Sequence, residues 1–99
     1  MPVIEINGLK FIKNEDAPET YRVYHKKGLN VAIVELCFGV LTCTSLKEYG
    51  SVIGEVLYQK SIADLWTDCF TYDEFKEKYL TILSFVINDY IFHKLALAA

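Results

Sequence analysis

Apolar and polar residues alternate from the start of the chain. Val3-Ile4-Glu5-Ile6 and Leu9-Lys10-Phe11-Ile12-Lys13 flank Asn7-Gly8. Asn-Gly readily supplies the two positive φ angles that a two-residue type I′ turn requires, so these segments predict a β-hairpin. The polar stretch Asn14–Glu19 reads as a connector, and Pro18 stops either pattern from running through it. Thr20–His25 is rich in β-formers, Lys26-Lys27-Gly28 makes a turn, and Leu29–Thr44 is a long β-branched run. Period-two spacing in that run puts Ala32, Val34, Leu36, Phe38 and Val40 on one face. Val31, Ile33, Cys37, Leu41 and Cys43 fall on the other, with Glu35 and Gly39 among them. Two apolar faces predict a central strand covered on both sides, with a bulge or bend at Gly39.

The period then changes. Ser45-Leu46-Lys47-Glu48 has the spacing of a capping box, and Leu46, Tyr49, Ile53, Val56 and Leu57 recur at helical intervals. This predicts a helix from Ser45, in which Gly50 and Gly54 would form a close-packing stripe or mark a break. Each interior glycine weakens such a helix by about 1 kcal/mol against alanine. A short helix or turn is expected at Ser61–Cys69, around Trp66. A second capping box, Thr71-Tyr72-Asp73-Glu74, opens a last helix that can run to about Leu95, with Ala96–Ala99 fraying beyond it.

These elements predict one α+β domain spanning residues 1–99. An antiparallel sheet of three to four strands fills residues 2–44, and two to three helices fill residues 45–96 and pack on it. Apolar residues make up 53% of the 99-residue chain and charged residues 23%, enough grease for a core without a metal or disulfide staple. No cofactor is called for.

Charge narrows the function classes. The formal net charge is −3 and Arg22 is the sole arginine. Both weigh against base-specific nucleic-acid recognition, which relies on clustered basic residues. Residues 1–30 carry five basic and four acidic groups, and the rest of the chain carries five and nine. Lys10, Lys13, Arg22, Lys26 and Lys27 therefore offer at most a weak basic patch for nucleic acid, and solvated strand ends and turns are the favoured account of them. Cys37, Cys43 and Cys69 form no disulfide framework and read as small buried hydrophobes. The N-terminus has no signal-peptide pattern, and the greasy run Tyr79–Phe92 is too short and too polar to span a bilayer. The expected location is a cytoplasm, that of the host if the protein is viral.

No phosphate loop, nucleophile elbow or zinc motif is present. Asp64, Asp68, Asp73 and Glu74 cluster around Trp66 and could share a divalent cation, which would suit a small metal-dependent hydrolase or nuclease. The same acids also complement a helix N-terminus. Asp89 and His93, one turn apart, can pair, but no nucleophile accompanies them.

The last helix says more. At about 100° per residue, Tyr72, Phe75, Tyr79, Ile82, Leu83, Val86 and Tyr90 form the expected core stripe, and Leu80, Ile87 and Ile91 widen it. Phe85 and Phe92 fall on the opposite side, near Lys78, Thr81 and Asn88. A helix apolar nearly all round needs cover on every side, and burying a Phe stabilises by roughly 1.5–3 kcal/mol. The expected partner is a second copy, paired two-fold through this face, or another protein. In composition the chain resembles the small proteins of viruses of hyperthermophilic archaea, with nine lysines to one arginine and few Gln, Met and Asn. The reading is a non-enzymatic interaction protein, self-associating through its C-terminal helix. A viral or mobile-element accessory protein fits that profile.

Overall fold

A computed structural model describes residues 3–16, 19–26, 28–46 and 54–95. Its strands are β1 (Val3–Ile6), β2 (Leu9–Lys13), β3 (Thr20–His25), β4 (Asn30–Cys37), β5 (Val40–Ser45) and β6 (Val56–Ser61). Two helices follow, α1 (Ile62–Leu65) and α2 (Tyr72–Tyr90), and a wide π-helical turn at Ile91–Leu95 continues α2. All six strands lie in one antiparallel sheet in sequence order. The α+β class stands, but the sheet has six strands rather than three to four, and strand structure continues to Ser61 instead of stopping at Thr44.

Two local features account for the extra strands. The first is the run Leu29–Thr44. Phe38 (φ +53°) and Gly39 (φ +75°) form a two-residue turn with both angles positive, and the run folds into the β4–β5 hairpin. The register Ala32↔Ser45, Val34↔Cys43, Leu36↔Leu41 reverses the parity beyond the turn. Leu41 and Cys43 therefore join Ala32 and Val34 in the core, and Val40 moves to the other face.

The second is the helix expected from Ser45. Ser45 ends β5, and its hydroxyl accepts the Glu55 amide at 2.9 Å. Val56 and Leu57 belong to β6, which pairs with β5. The expected Glu48 partner, Tyr49, Gly50 and Ile53 lie outside the described residues, as do Lys27 and Ala96–Ala99. Gly54 marks a close backbone approach rather than a helix seam, because a Cβ there would collide with the Ser45 carbonyl.

The remaining elements follow the sequence closely. Asn7 (φ +51°) and Gly8 (φ +81°) make the β1–β2 turn. Thr71 caps α2, accepting the Glu74 amide at 3.1 Å. The helix lies across one face of the sheet and buries Phe75, Tyr79, Leu80, Leu83, Ser84, Ile87 and Ile91 against it. Its buried stripe is rotated from the expected one. Tyr72 is exposed, Ile82, Val86 and Tyr90 are only half-buried, and Ser84 is buried. In this orientation the Asn7 side-chain amide donates to the Ser84 hydroxyl at 2.8 Å, and the Asn88 side-chain amide donates to the Asn7 carbonyl at 2.9 Å. The opposite face of the sheet carries no described helix. A row of neighbours, Val3–Ile12–Arg22–Ile33–Thr44–Val56, crosses it through all six strands. Among the described residues no helix is long and apolar enough to cross a membrane.

Candidate interaction surface

The outward side of α2 carries the exposed aromatic pair expected there. Phe85 and Phe92 are each 64% exposed, seven residues apart along one line of the helix. Their neighbours are less free. Thr81, Lys78 and Asn88 are half-buried. The Lys78 ammonium donates to the Thr67 carbonyl at 3.0 Å, and Asn88 is held by Asn7. Lys76 stands 5.6 Å from the centre of the Tyr21 ring. Both lysines near the amino end of α2 are thus engaged with their own domain, leaving Asp73, Glu74 and Glu77 exposed.

A shallow concavity of about 450 Å³ lies beside this end, lined by Glu74, Glu77, Lys78, Thr81 and Ile82. At the other end, His93 Nε2 lies 3.2 Å from an Asp89 carboxylate oxygen, and its ring meets Phe92 edge to face at 4.9 Å. His93 and Lys94 are exposed there. The acids and the hollow thus lie beside the amino end of the helix, whereas His93 and Lys94 line a separate concavity with Glu55, Val56 and Leu57.

The other candidates are dispersed. Asp64 sits on α1, Asp68 (φ +70°) in the turn after it, and Asp73 and Glu74 in the first turn of α2. Glu74 is already engaged, its carboxylate accepting the Thr71 hydroxyl at 3.2 Å. Among the described residues no three His, Cys, Asp or Glu side chains gather as metal ligands would. Lys10 is 3.8 Å from Glu5. Lys13 and Lys26 stand at opposite ends of the β2–β3 ladder, so the hairpin cations do not form one patch.

The cysteines differ from one another. Cys43 is buried, and burial pushes its thiol up to about 12. Cys69 donates to the Leu65 carbonyl at 3.6 Å. Cys37, expected to be buried, is exposed because it flanks the β4–β5 turn.

A tyrosine cluster ties α2 to β3. Tyr72 donates to Glu19 at 2.8 Å, and partial burial followed by that carboxylate pushes its hydroxyl up to about 12. Burial beside Tyr21 raises Tyr79 further.

Sequence reasoning missed two exposed aromatics, Phe38 (99%) at the β4–β5 turn and Phe70 (90%) just before the α2 cap. The signals were local. Phe38 precedes a glycine in a β-branched run, and Phe70 precedes a capping threonine. Compared with known protein families, curated proteins and solved structures, the chain matches none.

Proposed function

We propose that the protein is a small non-enzymatic interaction module that pairs with a second copy of itself through the outward face of α2. The observation behind this reading is the exposure of Phe85 and Phe92 on a helix whose other side is seated in the core. A single exposed aromatic is ordinary, but two in line on one rigid helix make an apolar stripe that a partner helix can cover.

The face is complementary to itself. In an antiparallel copy centred on Phe85, Phe92 comes opposite Lys78, and so enters the concavity beside Lys78 and Thr81. Two-fold symmetry makes each such contact twice, the usual arrangement in soluble homodimers.

Sedimentation velocity over a range of concentrations tests the reading. The expected result is a concentration-dependent dimer in the native chain and a monomer in Phe85→Asp and Phe92→Asp. A native chain that stays monomeric at high concentration would overturn it.

A further inference from the structure

The face of the sheet away from α2 holds a second feature, independent of the helix. A cavity of about 300 Å³ is lined by Ile12, Lys13, Arg22 and Tyr24 of β2 and β3 together with the connector residues Asn14, Glu15 and Asp16. Strand parity explains the floor. Phe11, Tyr21 and Val23 are buried in the core, so Ile12, Arg22 and Tyr24 project from the other face. The connector is held as a wall. The Asn14 amide donates to the Thr20 carbonyl at 2.8 Å, and the Asn14 side-chain oxygen accepts the Asp16 amide at 3.0 Å.

Three properties define what fits. The Arg22 guanidinium makes no hydrogen bond or ion pair with any described residue, although two carboxylates line the same cavity. Its planar fork of donors is suited to a carboxylate. The lining balances two cations, Lys13 and Arg22, against two anions, Glu15 and Asp16. A neutral, bipolar lining disfavours a polyanion and favours a small molecule with one charge of each sign. Ile12 and the Tyr24 ring offer an apolar and aromatic floor, and the volume lies at the small end of ligand pockets.

We propose that this cavity binds a free α-amino acid with an apolar or aromatic side chain. Arg22 holds its carboxylate, the connector acids Glu15 and Asp16 face its ammonium group, and its side chain lies on Ile12 and Tyr24. The site shares no residue with the outward face of α2, so it stands or falls separately from the pairing of that helix.

Amide chemical shifts recorded during titration with L-phenylalanine, phenethylamine and 3-phenylpropionate test it. L-Phenylalanine should give saturable shifts centred on Ile12, Arg22, Tyr24 and residues 13–16. Removing its carboxylate or its ammonium group should weaken binding by about tenfold or more, since a site built for a polar group rejects the analogue that lacks it. Arg22→Gln should weaken L-phenylalanine by a similar factor and leave phenethylamine unaffected. Asp16→Asn should do the converse, sparing 3-phenylpropionate. The analogue series on the native chain does not depend on either variant folding. Equal binding of all three compounds, shifts centred elsewhere, or no saturable shift at millimolar ligand would each overturn the proposal.

Discussion

Asn7 and Ser84 lie 77 positions apart in the chain and are joined by a 2.8 Å side-chain hydrogen bond. Asn7 serves two purposes at once. Its positive φ closes the first hairpin, and its side chain and carbonyl hold Ser84 and Asn88 of α2. The residue that makes the turn therefore also contacts α2 at two positions, four residues apart. Asn7→Gly keeps the turn and deletes the side-chain bond. A double-mutant cycle with Ser84→Ala, read by denaturant unfolding, should give a coupling of about 1 kcal/mol. Strict additivity would show that the bond does not hold the helix in place.

Phe85→Asp and Phe92→Asp should change the unfolding free energy of the isolated chain by no more than about 0.5 kcal/mol, because both side chains project away from the core. Leu83→Ala, on the buried side of the same helix, should cost about 2–5 kcal/mol. Denaturation at a concentration too low for association separates the two effects. A large loss in either aspartate variant would make these phenylalanines core residues rather than contact residues.

The chain contains its own control for Phe38. Asn-Gly occupies the β1–β2 turn and Phe-Gly the β4–β5 turn, both with positive φ at each position. A bulky side chain in that region is disfavoured by roughly 1–2 kcal/mol, whereas asparagine tolerates it. Phe38→Asn should therefore raise the unfolding free energy by about 1 kcal/mol. A neutral or negative change would mean that the exposed ring makes a compensating contact.

Gly54→Ala should destabilise by about 1–3 kcal/mol, the usual range for overpacking, because the added methyl meets the Ser45 carbonyl. The same change in a helix interior would be stabilising. The sign of the effect, read from the thermal midpoint, thus separates the strand connection from the helix that the spacing of apolar residues implies.

Alkaline pH should weaken the fold through Cys43. Its thiol is pushed from 9.0 up to about 12 in the folded state, so the unfolded chain loses this proton first. The contribution is complete below pH 9 and falls as pH rises toward 12, by about 1.4 kcal/mol per unit within that window. Tyr72 and Tyr79, raised in the same direction, add to the loss above pH 10. Unfolding free energies at pH 8.0 and 10.0, measured for the native chain and Cys43→Ala, should show a smaller decline in the variant. Equal slopes would remove Cys43 as the cause.

What the sequence revealed and what it hid have physical explanations. Asn7-Gly8 and Thr71–Glu74 were legible because the residues that make those features interact with close neighbours along the chain. Ser45 misled because its hydroxyl, placed to cap a helix three residues on, instead serves Glu55 across a strand pair ten residues away. Val56 and Leu57 fit a helical spacing equally well, and only pairing with β5 decides the matter. At Phe38-Gly39 the sequence suggests only a bulge or bend at the glycine, because phenylalanine is not a residue that announces a left-handed turn. Exposure of Phe85 and Phe92 followed from helical geometry alone. The cavity around Arg22 did not, since it needs the parity of two strands and the course of the connector between them.

The meander order of the sheet has a consequence for how the chain assembles. Every strand finds its partner immediately before or after it in sequence, so the sheet can zip up hairpin by hairpin with short loops to close. The step without a local shortcut is the docking of α2, whose grip on Asn7 links one end of the polypeptide to the other. Folding should accordingly finish, rather than begin, with its longest helix.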